Sequence, residues 1–209
     1  MRALVLGVVG WLALSFVSAS AAVNPEDARK TVLAVVADFK EKVVDHREEL
    51  EQNPKQLNVV MKEILDPVVD FEDLAKKVMG KYYRRASEEQ IETFAYVTER
   101  TLLNTYSAAV IDFDPSKIQV LPLAQQKPGR EVRVDAQFTL NDGSPINIAF
   151  YMEPTDDMGS GWLLSNVVIN NINFGLTFRK QFGLMVQQNG NDLDQAIVAW
   201  QKSLASEAE

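Results

Sequence analysis

The spacing of apolar side chains changes twice along this chain, and that change constrains its fold more than any other feature. From Pro25 to about Ile111 the apolar residues recur every three or four positions, which is the period of an amphipathic helix. Near Asp114-Pro115 the period becomes two, as in strands that bury one face, and the helical period returns at about Phe174. This order of helices, strands and helices predicts one α+β domain.

Capping signals divide the first helical region. Asn24 followed by Pro25 predicts the start of a long helix, because this pair combines an N-cap with the residue favoured at the first helical position. Asn53-Pro54 ends that helix, and a short second helix carries apolar residues from Leu57 to Leu65. The second helix stops before Pro67, which cannot continue it.

Two further helices are predicted before the strands begin. Asp70 is an N-cap for the first of them, and Gly80 stands where a helix usually ends in a left-handed residue. Ser87 and Gln90 have the spacing of a capping box, so the next helix begins there and reaches about Ile111.

Four strands are predicted, over residues 117–123, 131–140, 146–152 and 162–169. The second and third are joined by Asn141-Asp142-Gly143, a hairpin turn signal, so we expect an antiparallel sheet. Helices over residues 174–188 and 193–205 close the chain.

The first residues resemble an export signal. Arg2 precedes an apolar stretch from Ala3 to Val17, which is short for a membrane span, and Ala19-Ser20-Ala21 is a small-residue cleavage site. We expect residues 1–21 to be a cleaved signal peptide and residues 22–209 to form a single domain. The alternative is an N-terminal membrane anchor.

Composition excludes several classes of function. The chain has no cysteine, so a disulfide-stapled scaffold is excluded. Its formal net charge of −8 makes it a poor general ligand for nucleic acid and favours transient contact with anionic membranes over standing adsorption. His46 is its only histidine, so one chain cannot build Cys-His or multi-His metal sites, and no nucleotide-binding glycine motif is present.

Carboxylates leave two weaker hypotheses open. Asp112, Asp114 and Asp135 are candidates for a general base, although turn and surface positions explain them more simply. The loop containing Glu153, Asp156 and Asp157 has acidic oxygens for calcium but lacks the ligand spacing of an EF-hand, so a solvated loop is favoured. Gly159-Ser160-Gly161 is interpreted as a turn. We expect no metal site and no cofactor.

Two segments carry a family resemblance. Residues 66–113 read DPVVDFEDLAKKVMGKYYRRASEEQIETFAYVTERTLLNTYSAAVIDF, and residues 161–182 read GWLLSNVVINNINFGLTFRKQF. They resemble the signatures of the periplasmic phospholipid-binding family of the Mla pathway (maintenance of outer-membrane lipid asymmetry), also called toluene-tolerance proteins. Those signatures are roughly DP…DF…(L/M)GKYWR…(S/T)…Q…F…LL…TYA…L and W…(D/N)V…(I/V)EG(V/I)S…YR.QF. The chain departs from them at Tyr83, usually Trp, at Asn170-Asn171, usually an acidic residue and Gly, and at Asn173, usually Ser.

The resemblance implies a cone-shaped (NTF2-like) α+β fold, in which N-terminal helices, a four-stranded antiparallel sheet and C-terminal helices enclose an apolar lipid pocket. It implies a monomeric, soluble, non-enzymatic carrier in the periplasm of a Gram-negative bacterium, with a diacyl phospholipid as cargo. Its partners would be an outer-membrane lipoprotein–porin complex and the substrate-binding ring of an inner-membrane ABC transporter. The residues on the apolar phase of the elements that the family places around the cavity are Val78, Leu102, Tyr106, Val134, Phe138, Phe150, Val167, Ile169, Leu176 and Phe182.

A basic run interrupts this acidic chain, with no acidic residue between Leu74 and Ser87. One interpretation is a solvated helix face, and the other is a patch that meets phosphate head groups or an acidic partner. The residues concerned are Lys76, Lys77, Lys81, Arg84 and Arg85.

Two other classes of protein compete with the carrier. One is an enzyme of the cone-shaped α+β type acting on an apolar substrate, which would place a buried carboxylate at the floor of the pocket. The other is a periplasmic interaction or chaperone-like protein with a solid core.

Overall fold

The computed structural model describes residues 24–111, 114–126 and 130–206, without the side chains of residues 105–111 and 204–206. The predicted signal peptide lies outside these ranges. The elements, in order, are α1 (Pro25–Lys42), α2 (Arg47–Glu51), α3 (Pro54–Leu65), α4 (Phe71–Met79), α5 (Glu88–Ile111), β1 (Ile118–Val120), β2 (Val132–Thr139), β3 (Pro145–Pro154), β4 (Trp162–Ile169), β5 (Ile172–Asn173), α6 (Phe174–Gln188) and α7 (Leu193–Ser206). None of the described helices is both long and apolar enough to cross a membrane.

The predicted helix caps are confirmed. The carboxylate of Asp70 accepts the backbone N–H groups of Glu72 and Asp73 at 2.9 and 3.0 Å, which satisfies two donors at the start of α4. Ser87 and Gln90 exchange side chain-to-backbone hydrogen bonds of 3.1 Å, forming the capping box of α5.

The long first helix is interrupted, which the sequence pattern did not predict. α1 ends at Lys42, and a 3₁₀ turn over Val44–His46 separates it from α2. The adjacent β-branched residues Val43 and Val44 are weak helix formers. The interruption leaves Val43 fully buried and lets the short α2 pack on α3 and α5.

The five strands form one antiparallel meander in the order β1-β2-β3-β4-β5. Val134, Phe150 and Val167 are neighbours across β2, β3 and β4, so their side chains share the inner face of the sheet. The predicted α+β fold and antiparallel sheet are confirmed.

The structure has one strand more than the four that were predicted. Asn170 and Asn171 both adopt positive φ, at 46° and 68°, and form a tight turn. That turn brings the two residues of β5 back onto β4. A two-residue strand is too short to show an alternating pattern, so periodicity could not predict it.

A bulge at Ser165 changes the facing of side chains along β4. Leu164 pairs with Met152, whereas Asn166 pairs with Tyr151, so Ser165 is an extra residue in the ladder. The bulge keeps Leu164 on the same face as Val167.

The described buried residues form three packed clusters. In the first, α4–α7 surround Phe94, Phe182 and Trp200. In the second, α1 covers the inner face of β1, β2 and β3, and in the third, α1, α2, α3 and α5 meet around Ile64. Val167 on β4 belongs to none of these clusters. Trp162 at the start of β4 belongs to the second cluster and Leu164 packs against it, so only the later part of the inner face of β4 is covered differently from the rest of the sheet.

Candidate functional site

An apolar cavity of about 470 Å³ lies between the inner face of β4 and helices α4, α5 and α6. Aliphatic and aromatic side chains form most of its wall, and none of the described residues in that wall carries a carboxylate. The described lining consists of Val69, Leu74, Leu102, Leu164, Ser165, Asn166, Val167, Ile169, Phe174, Gly175 and Phe178.

Hydrogen bonds at two points attach the neighbouring segments to β4. The N–H of Leu164 donates to the carbonyl of Val68 at 2.7 Å, so the segment leading into α4 runs along the open edge of β4. At the start of α6, the side-chain oxygen of Asn166 accepts the N–H of Gly175 at 3.0 Å, and its amide donates to Asn173 at 3.1 Å. Asn173 in turn caps α6 by accepting the N–H of Leu176 at 2.8 Å.

A second space, which we call the polar cleft, adjoins the apolar cavity. It has a volume of about 330 Å³ and shares four lining residues with the cavity, namely Leu74, Ser165, Asn166 and Gly175. The rest of its wall includes charged side chains from α4, α6 and the sheet. These further residues are Lys77, Val78, Glu131, Glu153, Asn173, Leu176 and Arg179.

Ion pairs order the charged groups of the polar cleft. The ammonium of Lys77 lies 2.8 Å from Asp73 and 3.2 Å from Glu153. Burial lowers the pKa of Lys77, but hydrogen bonding and attraction to Asp73 and Glu153 outweigh it, so the pKa lies above the usual lysine value. Lys77 is therefore charged at neutral pH.

Arg179 is fixed at the edge of the polar cleft. Its Nε donates to the carbonyl of Lys77 at 2.8 Å. Its side chain passes so close to Gly80 that a Cβ there would lie 3.1 Å from Cδ of Arg179, and Gly80 has a φ of +56°. Gly80 thus ends α4 and also leaves room for Arg179.

The structure divides the predicted basic patch. Lys76 and Lys77 are ion-paired with carboxylates of α4 and β3, whereas Lys81, Arg84 and Arg85 form no ion pair with any side chain that the structure describes.

Lys81 of this patch borders a groove. Lys81 and Arg85 lie 5.0 and 5.1 Å from the ring centroid of Tyr82. Lys81 also lines a shallow groove of about 540 Å³ together with Arg179 and Lys180 of α6.

The predicted lining residues fall in several places. Leu102, Val167 and Ile169 line the apolar cavity, whereas Val78 and Leu176 line the polar cleft. Phe182 and Val134 are fully buried in the packed clusters, Phe150 packs against the α1–sheet cluster, and Phe138 is half-buried near the end of β2. The side chain of Tyr106 lies outside the described residues.

Twelve of the eighteen described residues that line the cavity or the cleft were not among the predicted site residues. Phe174 and Phe178 follow the Asn173 cap four residues apart, a spacing that could have indicated them. Leu74 lies at helical spacing from Phe71 and Val78, a pattern that could have indicated it. The bulge at Ser165 breaks the alternation along β4, so the sequence pattern does not show which face of the sheet Leu164 occupies. Arg179 could be recognised in the sequence only as the arginine of the second family motif.

The catalytic and metal hypotheses gain no support from the described residues. His46 is exposed, and Asp135 is ion-paired with Arg133 at 2.7 Å. Hydrogen bonds from the hydroxyl and the backbone N–H of Ser116 lower the pKa of Asp114, which caps a 3₁₀ turn.

No group of three or more potential metal-ligating side chains occurs in the described ranges, and Asp112 lies outside them. Ser160 has a turn role, since it accepts the N–H of Trp162 at 3.1 Å and contacts the carbonyl of Pro67 at 2.7 Å.

The fold and site define a class of α+β proteins in which a half-covered antiparallel sheet and a set of helices enclose an apolar cavity. The sequence profile of the MlaC protein family matches residues 34–202. The chain belongs to the MlaC family, which confirms the resemblance seen in its two sequence motifs.

Relatives of known name agree with this assignment. Toluene tolerance protein ttg2D of Pseudomonas putida is 33% identical over 187 residues, which cover 88% of this chain and 83% of that protein. The intermembrane phospholipid transport system binding protein MlaC of Haemophilus influenzae is 29% identical over 75 residues, covering 36% of this chain and 35% of that protein.

A solved structure shows the same fold. The phospholipid-binding protein of Ralstonia solanacearum, determined in complex with a phospholipid, superimposes with a TM-score of 0.74. The match covers 88% of this chain and 99% of that one at 19% sequence identity.

Proposed function

We propose that this protein is a soluble periplasmic carrier of diacyl phospholipid, whose acyl chains occupy the apolar cavity. The observation that carries the proposal is the cavity itself, which has an apolar wall and no carboxylate among its described lining residues. Membership of the MlaC family supports it, as do a relative named for intermembrane phospholipid transport and a solved structure holding a phospholipid. We propose no catalytic activity and no cofactor.

The energetics of acyl chains require such a cavity. At ~0.8 kcal/mol per methylene, exposing a sixteen-carbon chain to water costs on the order of 12 kcal/mol. Free diffusion of lipid through an aqueous compartment would be negligible at that cost. An apolar cavity offsets most of it, so exchange of a lipid between a membrane and the carrier is close to balanced.

We further propose that the carrier works between two partner assemblies. These are an outer-membrane lipoprotein–porin complex and the substrate-binding ring of an inner-membrane ABC transporter. A near-balanced exchange has no direction of its own, so the direction must come from the partners. The net charge of −8 favours brief contacts with anionic membranes, and we expect the carrier to act as a monomer that maintains outer-membrane lipid asymmetry.

We propose that Leu102, Val167 and Ile169 contact the acyl chains, together with Leu164, Phe174 and Phe178. Val78 and Leu176 lie at the polar cleft, close to where a head group would leave the cavity. Phe182 and Val134 lie within packed clusters, and their role is to support the walls.

Mass spectrometry of lipid extracted from protein purified without detergent tests the proposal. We expect diacyl phospholipid in near-stoichiometric amount. Protein that contains no lipid, and that after delipidation takes none up from vesicles, would contradict the carrier function.

A further inference from the structure

The apolar cavity lies between two packed clusters that have no residue in common. The first cluster is built from α4–α7, and the second joins α1 to the sheet. The cavity is lined by Leu74 and Phe178, which pack on the first cluster, and by Leu164, which packs on the second. A movement that enlarges the cavity can therefore separate the two clusters and leave the packing within each of them intact.

One ion pair joins a helix to the sheet across this boundary. The ammonium of Lys77, near the end of α4, lies 3.2 Å from Glu153 of β3. None of the other ion pairs between described side chains connects a helix with the sheet. The N–H of Leu164 is bonded to Val68, before α4 begins, and Asn166 is bonded to the start of α6. At the C-terminal end of α4, Lys77 and Glu153 therefore make the one polar contact with the sheet that the structure describes.

The two partners of this ion pair are fixed to opposite sides of the boundary. The carbonyl of Lys77 accepts a hydrogen bond from Nε of Arg179 at 2.8 Å, which ties the end of α4 to α6. The next residue, Val78, is buried in the first cluster. Glu153 follows Met152, which is buried in the second cluster. The contact between ammonium and carboxylate therefore breaks whenever the two clusters separate at this point.

The ion pair is suited to open and close reversibly. Lys77 and Glu153 have side chains that are 30% and 33% exposed, so their attraction is screened less than that of a fully exposed pair. The ammonium of Lys77 also lies 2.8 Å from Asp73, one turn earlier in α4. When the contact with Glu153 breaks, Lys77 keeps Asp73 as its partner, and water reaches Glu153. The pair thus resists separation of the clusters, and breaking it leaves no charge buried without a partner.

We propose that Lys77 and Glu153 form a clasp that controls how fast the cavity exchanges its lipid. When closed, the clasp holds the end of α4 against the sheet beside the apolar cavity. When open, it lets the α4–α7 cluster move away from the sheet and widens the cavity at the polar cleft, which both residues line. The clasp acts on the rates of lipid entry and release, and not on which lipid is bound. This inference rests on the proposed carrier function.

The experiment measures the release of lipid. Protein loaded with isotope-labelled phosphatidylcholine is mixed with an excess of unlabelled phosphatidylcholine vesicles, and mass spectrometry follows the label that remains on the protein. This lipid has no net charge, so a change in the charge of the protein has little effect on its attraction to the vesicles. We expect Lys77→Gln and Glu153→Gln each to release lipid several-fold faster than the wild type. The double variant should be no faster than the faster single variant, because all three lack the same contact.

Lys62→Gln is the matched control. Lys62 pairs with Glu99 and so joins α3 to α5, but it lines neither the cavity nor the cleft. Its substitution removes an ion pair between two elements and should leave the rate of lipid release unchanged. A second arm uses salt, which weakens ion pairs. Raising the salt concentration should speed release from the wild type and from Lys62→Gln, and should have little effect on the double variant Lys77→Gln, Glu153→Gln.

The outcomes separate the clasp from the carrier function. Wild-type protein that takes up no phosphatidylcholine would refute the carrier function, and the clasp with it. Wild-type protein that exchanges lipid, with folded single variants that release it at the wild-type rate, refutes the clasp alone. Single-variant effects that multiply in the double variant also refute it, because the two residues then act independently. If the variants do not fold, wild-type release that is insensitive to salt overturns the clasp, and release that salt speeds supports it.

Discussion

Phe182 is completely buried, with ring centroids 4.5 Å from Phe94 and 6.1 Å from Trp200. Trp200 in turn donates its indole N–H to the buried hydroxyl of Thr98 at 3.1 Å. Aromatic rings at these separations attract one another beyond the burial of their area. Phe182 therefore stabilises the packing of the helices. A residue that contacts a ligand would instead have open space next to its side chain.

Phe182→Ala should therefore act on stability. Removing the ring leaves a cavity inside a packed cluster, and we expect the free energy of unfolding to fall by about 3–5 kcal/mol in urea denaturation. Lipid bound per folded molecule should stay near the wild-type value. Leu184→Ala on the same helix, where the side chain is 56% exposed, is the control and should have little effect. A folded Phe182→Ala protein of normal stability that has lost its lipid would show that this residue lines the cargo site instead.

At the scale of elements, the junction between β4 and α6 determines where the cavity begins. A Cβ on Gly175 would lie 2.7 Å from the side-chain oxygen of Asn166, whereas a Cβ on Gly183 would meet nothing closer than 3.7 Å. Both glycines lie in α6. Gly175 is needed for the close approach of α6 to β4, and Gly183 is not.

These two glycines make a matched pair of substitutions. Gly183→Ala should stabilise the protein by about 0.5–1 kcal/mol, because alanine favours a helix interior over glycine. Gly175→Ala should destabilise it by about 1–3 kcal/mol, because Asn166 must move and its hydrogen bonds weaken. Urea denaturation of both variants measures the difference. A similar gain in both would mean that the contact between α6 and β4 is loose.

The elements themselves were largely predictable, because local chemistry determines them. The caps at Asp70, Ser87 and Asn173 and the hairpin at Asp142-Gly143 follow from hydrogen bonds and backbone preferences that act over two or three residues. The bulge at Ser165 and the strand after Asn171 depend on the partner strand. The spacing of apolar residues in the sequence therefore does not predict the bulge or the fifth strand.

The site was less predictable than the elements, for a different reason. Periodicity shows that Val134, Val167 and Phe182 face inward, but it does not show whether another side chain or open space lies opposite. Only the three-dimensional arrangement separates Val167, at the cavity, from Val134, beneath α1. Arg179 was missed because its position depends on Lys77, which is 102 residues away along the chain.

At the scale of the whole molecule, the sheet is divided into two halves. α1 packs directly on β1, β2 and β3 through Val32, Val134 and Met152, which are almost completely buried. From Leu164 onward, the inner face of β4 meets α4, α5 and α6 across the apolar cavity instead, whereas Trp162 at the start of β4 is buried in the α1–sheet cluster. One half is a solid core, and the other has room for a ligand.

The volume of the cavity bears on how it accepts cargo. A water molecule takes up about 30 Å³ in the liquid, and a methylene group is of similar size. The 470 Å³ described here therefore holds about sixteen such groups, close to one long acyl chain. A second chain requires side chains of α4, α5 or α6 to move. The half of the molecule containing β4 should respond to cargo, and the half beneath α1 should not.

Hydrogen–deuterium exchange on loaded and delipidated protein tests this division. At short exchange times, where local opening dominates, removal of lipid should speed exchange in α4, β4 and the first turns of α6. Exchange in α1 and β2 should be unchanged, because their contacts involve no cargo. An equal change in both halves, or a change confined to α1 and β2, would mean that the lipid occupies a different part of the fold. Each peptide is compared between the loaded and the delipidated protein, so differences in intrinsic exchange rate between peptides cancel. The experiment therefore compares the half of the sheet beside the cavity directly with the half beneath α1.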